Sequence, residues 1–182
     1  MYLLDVNVLL AFAYKGQVSH WRVRHWIKSV ESNGSEGPLF ATCSIVELGF
    51  VRIAAGKSRL AENLTIARAD LRRLKAELHS TLLADEVDGN RLPVWVTKSG
   101  QTTDGHLLEL AMAHHAQLAT LDTGIPGAVL IPERIAPPFE VREPLTPYGA
   151  ATSAGKAHTP YGFDRLATIN SPAPHPSHAS TY

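Results

Sequence analysis

The stretch Leu3-Leu4-Asp5-Val6-Asn7-Val8-Leu9-Leu10 does most to constrain the fold. An apolar run meets an aspartate, a second polar residue follows two positions on, and apolar residues resume. This pattern fits a short buried strand ending at Asp5 and a helix opening at or just after Asn7. A carboxylate at the C-terminal end of a buried parallel strand points into the crevice where open α/β sheets bind ligands. Helix N-capping is the competing use of Asp5 or Asn7, since both residue types cap well.

The rest of the chain supplies the partners for such a sheet. Tyr2 to Leu4 reads as a strand and Val8 to Tyr14 as a helix. His20 to Val30 is a second helix, with Trp21, Val23, Trp26, Ile27 and Val30 on its inner face. The run Ser32 to Pro38 is a loop by composition. Leu39 to Cys43 is a second buried strand. Ser44 then has the look of an N-cap with Glu47 at capping-box spacing, opening a helix that Gly56 ends. Leu60 to Leu83 reads as a long helical region, of one helix or two, with Leu64, Ala67, Leu71, Leu74 and Leu78 as its apolar stripe. Asp85 to Arg91 is a polar turn, and Pro93 to Thr97 a third strand. A helix follows from Asp104 to Gln117. Leu118 to Leu121 is a fourth strand ending at Asp122, and Ala128 to Ile131 a fifth. Strands alternating with helices predict an α/β fold with a mostly parallel sheet of four or five strands and helices on both faces.

Composition shifts near Pro137: eight of the twelve prolines lie from there onward, amid Ala, Ser, Thr and His. The chain therefore divides into a folded domain over 1–136 and a Pro/Ala/Ser/His-rich tail over 137–182, expected to be extended or disordered. His158, His175 and His178 do not have metal-site spacing. The lone Cys43 cannot form an internal disulfide and reads as a small core residue. No signal peptide and no run of about 20 apolar residues is visible, so a soluble cytoplasmic protein without membrane contact is expected. Lys plus Arg and Asp plus Glu balance at 17 each, so nucleic-acid binding would need a local patch.

Four acidic residues fall at comparable places in this scheme: Asp5, Glu47, Asp104 and Asp122. In a parallel sheet, strand ends and the helix starts that follow them lie at one edge, so all four would meet in one cleft. Each has a plainer use. Asp5, Asp104 and Asp122 could cap helices or face a helix dipole, and Glu47 could complete a capping box. Glu47 is the least comfortable in that role. It lies among Ile45, Val46, Leu48, Phe50 and Val51, and a buried carboxylate without a partner is costly. Four carboxylates in one cleft repel unless protonated or bound to cations. Hard divalent ions such as Mg²⁺ or Mn²⁺ take oxygen ligands and would relieve that conflict, as in metal-assisted phosphodiester hydrolysis.

The motifs Leu4-Asp5-Val6-Asn7-Val8-Leu9-Leu10, Ser44-Ile45-Val46-Glu47, Thr103-Asp104-Gly105-His106 to Ala111 and Leu118-Ala119-Thr120-Leu121-Asp122 resemble, in order, the four motifs of PIN-domain nucleases. The likeness is greatest to the VapC-type toxins of bacterial toxin–antitoxin pairs and covers about Met1 to Ile135. It implies a PIN-like three-layer α/β/α sandwich and Mg²⁺- or Mn²⁺-dependent RNA cleavage. By the same resemblance Asp5, Asp104 and Asp122 are metal ligands, and Glu47 binds metal or positions and activates water. Asn7 and Ser44 orient carboxylates and substrate. A cognate VapB-type antitoxin whose tail reaches the cleft, and a homodimer, are also implied. The chain departs from the family after Asp122, where Thr123-Gly124-Ile125 stands in place of a further polar or acidic residue and an aromatic.

Arg52, Lys57, Arg59, Arg68, Arg72, Arg73 and Lys75 form a basic cluster, either a solvated helix face or a phosphate-contacting surface beside the cleft. His106 reads as a packing or surface residue, and His114 and His115, being adjacent, diverge on a helix. Two competitors to the nuclease remain. One is a non-catalytic PIN-like binding module. The other is a phosphatase using Asp5 as nucleophile, against which Asn7 counts, because that chemistry needs a second Asp for acid–base work.

Overall fold

A computed structural model of the chain describes residues 1–33, 37–56 and 60–133. The tail 137–182, its boundary with the folded domain, and Lys57 and Arg59 lie outside the described residues. Five strands form one all-parallel sheet: β1 (Tyr2–Leu4), β2 (Phe40–Cys43), β3 (Thr81–Leu83), β4 (Gln117–Thr120) and β5 (Val129–Leu130), in the order β3-β2-β1-β4-β5. The helices are α1 (Val6–Ala13), α2 (His20–Ser32), α3 (Ser44–Ala54), α4 (Leu64–Glu77) and α5 (Thr102–Ala113), the last preceded by a 3-10 turn over Ser99–Gln101. This is the expected PIN-like α/β arrangement.

The central strands are short and apolar because they are covered on both faces. Leu3 and Leu4 of β1 are fully buried, as are all four residues of β2. Leu3 pairs with Ala41 on one side and Leu118 on the other, which makes β1 the middle of the sheet. Helices α1, α3 and α4 pack on one another, whereas α5 packs on β1 and β4. Parallel crossovers are right-handed, so reversing the direction of strand addition after β3 puts α5 on the opposite face from the earlier helices. His20, buried at the start of α2, bonds through Nδ1 to the Ala11 carbonyl at 2.8 Å and pins α2 to α1.

The third strand is not where the apolar pattern suggests. Pro93 to Thr97 is a turn, closed by Val96 N–H donating to the Pro93 carbonyl at 3.0 Å, with Val94 wholly exposed. Gln101 Oε1 takes the N–H groups of Thr97 and Lys98, which holds this segment as a loop. The strand is Thr81–Leu83, at the end of the region that reads as helical. Helix α4 stops because His79 adopts a left-handed conformation (φ 47°), while Ser80 N–H bonds the Lys75 carbonyl and His79 N–H that of Ala76. This is a Schellman stop, for which glycine is the usual signal. With His in that place the sequence lacks the mark. Trp21 also departs from expectation: it is 64% exposed, off the inner face of α2 that Val23, Trp26 and Ile27 form.

Candidate functional site

The chain adds β2 and β3 to one side of β1, then returns to add β4 and β5 to the other. The sheet therefore has its topological switch point between β1 and β4. A crevice opens outside the carboxyl ends of such a strand pair, because the connecting helices depart to opposite faces. Asp5 directly follows β1, and Asp122 lies two residues beyond β4.

Asp5 is only 3% exposed. It is the N-cap of α1, its Oδ1 accepting from Val6 N–H at 2.6 Å. Its Oδ2 accepts from the hydroxyl of Thr120, a wholly buried β4 residue, at 2.8 Å. The same Thr120 hydroxyl accepts from Asp122 N–H at 3.0 Å. One buried hydroxyl thus joins the exits of the two central strands. Asp122 is exposed, and Gly124 N–H donates to its Oδ1 at 2.7 Å. A Cβ on Gly124 would stand 3.2 Å from that oxygen, so the glycine admits a close turn under the carboxylate. The departure from the family pattern at Thr123-Gly124-Ile125 thus still supplies a backbone donor to Asp122.

Asp104 is the third residue of α5, half-buried in its first turn. It follows the true third strand through the connector 84–98. Gly105 seats that connector: a Cβ there would lie 2.5 Å from Val96 Cγ2 and 3.2 Å from Pro93 Cδ. The carboxyls of Asp5 and Asp104 are both held above the ordinary aspartate range. For Asp5 burial is the main cause, opposed by the bonds from Thr120 and Val6 and reinforced by the charge of Asp122. For Asp104 burial again leads, followed by the charges of Asp5 and Asp122. The charge of Asp122 thus acts on both Asp5 and Asp104. Among the described residues, no three Asp, Glu, His or Cys side chains stand close enough together to enclose an ion.

Glu47 has other partners. Helix α3 starts directly from β2, with Cys43 as a cap lacking a side-chain bond and Ser44 as the first helical residue, exposed. The expected capping box between Ser44 and Glu47 does not form, because the helix begins one residue early. Instead Glu47 Oε1 accepts from the buried Thr42 hydroxyl at 2.6 Å and from the Lys75 ammonium of α4. Lys75 is the counter-ion that the residues around Glu47 in sequence do not provide. The sequence marked Lys75 only as one of a basic cluster and Thr120 only as part of a motif, and it gave Thr42 no role.

Two cavities flank this edge, and exposed Asn7 lines both. One, of about 480 Å³, is bounded by Asp5, Asp104, Ile45, Gly49 and Arg52. The other, of about 450 Å³, is bounded by Gln17, Val18, Ser19 and Asp122. Of the basic cluster, Lys75 holds Glu47, Arg73 pairs with Asp70 at 2.9 Å, and Arg68 and Arg72 are exposed. His106 pairs with Asp85 at 2.9 Å, and Cys43 is a buried free thiol.

No family model matches the chain. Over 131 residues it is 35% identical to Ribonuclease VapC38 of Mycobacterium tuberculosis (strain ATCC 25618 / H37Rv), covering 69% of this chain and 87% of that protein. The chain belongs to the VapC ribonucleases. Ribonuclease VapC44 of M. tuberculosis (strain CDC 1551 / Oshkosh) is 36% identical over 141 residues, 69% of this chain and 92% of its own. Ribonuclease VapC39 of the same strain is 32% identical over 134 residues, 68% and 89% respectively. No helix among the described residues is long and apolar enough to cross a membrane.

Proposed function

We propose that this VapC-type chain is the toxin of a cytoplasmic toxin–antitoxin pair, an endoribonuclease that hydrolyses RNA phosphodiester bonds with Mg²⁺ or Mn²⁺. The observation that carries the reading is that Asp5 and Asp104 line one cavity at the switch point of a VapC-family fold, with Asp122 at the exit of the neighbouring strand. The donor set fits a hard cation in chemistry and charge. All its donors are carboxylate oxygens, and two of the three resist ionising together without a neutralising partner. Asp5, Asp104 and Asp122 would hold the ion, which when bound supplies Lewis acidity toward the phosphate and a more acidic water.

The chain's own residues do the positioning. Thr120 and Val6 N–H fix both oxygens of Asp5, so that its carboxylate is oriented before any ligand arrives. Glu47 uses Oε1 for Thr42 and Lys75, which leaves Oε2 to orient the attacking water and take its proton. Lys75 offsets the charge of Glu47, so the acidic edge carries less repulsion than four free carboxylates would. Asn7 and Ser44, both exposed on first helical turns, act as hydrogen-bonding contacts to the substrate. Arg52, beside Asp5 and Asp104, meets the phosphate backbone. A homodimer bound by a cognate VapB-type antitoxin, whose tail reaches the acidic edge, completes the reading.

The deciding experiment is Asp5→Asn. Asn caps a helix about as well as Asp, so the fold survives, but the charge that holds a hard cation is lost. Total RNA is incubated with Mg²⁺ or Mn²⁺, with and without chelator, alongside a thermal melt. Abolished cleavage with an unchanged or higher melting temperature is expected. Wild-type cleavage by the variant would refute Asp5 as a metal ligand.

A further inference from the structure

The cavity beside Asp122 differs from the other spaces around the sheet edge in what its walls can recognise. It is lined by Asn7, Gln17, Ser19, Thr123 and Asp122, with Leu10, Ala11, Val18 and Leu121 as its apolar part. Asp122 is its one ionisable group, and that group is acidic. Apart from that carboxylate its walls carry no charged side chain, so they offer a phosphate no cationic contact of their own. The cavity under α2 and α4 is charged by contrast, with Lys15, Arg24, Lys28 and Arg73 lining it together with Asp70 and Glu77.

Four neutral polar side chains in the Asp122 cavity, Asn7, Gln17, Ser19 and Thr123, form no hydrogen bond with another described residue. Ser19 is notable among them because it stands at the N-cap of α2 yet its side chain does not cap. A serine at an N-cap ordinarily turns its oxygen onto the first free N–H groups. Gln17 is half-buried, so its amide is directed by the loop rather than free in solvent. Val18 is fully exposed next to both, an apolar surface with nothing packed on it. Apolar area ringed by neutral donors and acceptors that can exchange water for a ligand suits an unpaired nucleobase, which packs through its face and bonds through its edge.

We propose that this cavity receives the base of a nucleotide adjoining the scissile phosphate, and that Gln17 and Ser19 select which base it is. The inference rests on the ribonuclease reading, since Asp122 and Asn7 are shared between the cavity and the acidic edge. Gln17 offers a donor and an acceptor on one planar group, the pairing that reads an adenine edge, and Ser19 adds either one. Val18 and Leu121 provide the stacking surface.

The test uses an RNA library randomised around the cut. Cleavage ends are mapped for the full chain and for Gln17→Ala, Ser19→Ala and Gln17→Glu, with thermal melts to verify folding. Wild type is expected to favour one base at a position adjoining the cut. Gln17→Ala and Ser19→Ala should each lower that preference by about 5- to 100-fold, the range a well-placed side-chain contact gives in telling bases apart. The loss should fall on KM for the favoured base more than on kcat. Gln17→Glu keeps the shape, removes the amide donors and should change which base is favoured. A preference that persists in all three variants overturns the inference while leaving the ribonuclease intact. So does an unchanged preference accompanied by weaker antitoxin binding, which would make the cavity a protein contact. A wild-type chain that cuts no RNA overturns the ribonuclease reading itself, and this inference with it.

Discussion

Replacing Lys75 with methionine tests whether α4 stabilises the acidic helix start of α3. The substitution keeps most of the side-chain length and removes the charge. In the wild type the ammonium meets Glu47 Oε1, and the two side chains are 28% and 20% exposed. Two unit charges at 4 Å attract by about 1 kcal/mol in water and about 4 kcal/mol at the effective dielectric of a protein surface. Exposed pairs contribute about 0–1 kcal/mol net, and breaking a buried pair costs about 3–5 kcal/mol. A pair about three-quarters covered falls between, at about 1–3 kcal/mol. For a domain of this size that is about 3–10 °C in Tm. The assay is denaturant unfolding of wild type, Lys75→Met, Glu47→Gln and the double variant. The cycle should give a coupling of about 1–3 kcal/mol, with the double variant more stable than the two single losses added together. A coupling below about 0.3 kcal/mol, the scatter of independent sites, would show that the contact does not stabilise Glu47.

Two further outcomes follow from the geometry. Asp104 ionises late in the folded chain, so between the ordinary aspartate value of about 4 and its raised folded value the native state binds more protons than the unfolded one. Stability of the metal-free protein should therefore fall as pH rises through that window. Asp104→Asn should flatten the fall and also abolish the rise in Tm expected of the wild type on adding Mg²⁺ or Mn²⁺, both read by scanning calorimetry; an unaltered pH profile would refute the coupling. Gly105→Ala places a methyl against Val96 and Pro93, and should destabilise the protein by about 1–3 kcal/mol while misplacing Asp104 and lowering cleavage. Equal stability by urea melt would show that the connector yields freely.

The sheet was legible where its signals are local. Buried parallel strands read as short apolar runs, and a carboxylate at the end of one interrupts the run, so β1, β2 and β4 and the positions of Asp5 and Asp122 could be read directly. What failed were features set by conformation or by distant partners. The stop of α4 depends on His79 adopting a backbone state that the residue does not announce, and β3 was absorbed into the helix as a result. Pro93 to Thr97 has strand-like residues, but a proline opens it and its N–H groups go to a turn and to the Gln101 side chain rather than to a neighbouring strand. Glu47 was legible as a buried acid needing a partner. Lys75 was not legible as that partner, because the contact spans 28 residues and two elements. The same holds for Thr120, whose hydroxyl reaches across 115 residues to Asp5.

That last span has a consequence for the order in which the molecule is made. The N-terminal half can pair β1 with β2, and β2 with β3, as it emerges, since those strands follow in sequence. The other side of β1 stays open until Gln117 to Thr120 have been synthesised. Domains fold as their segments become available during synthesis, and long-range strand pairing is slow. Asp5 therefore waits, without Thr120 to orient it or Asp122 beside it, while more than half of the described chain is translated. Asp104 and its helix also come after the first three strands. A nascent chain has no assembled acidic edge, and the site comes into being only when translation of the sheet is almost done.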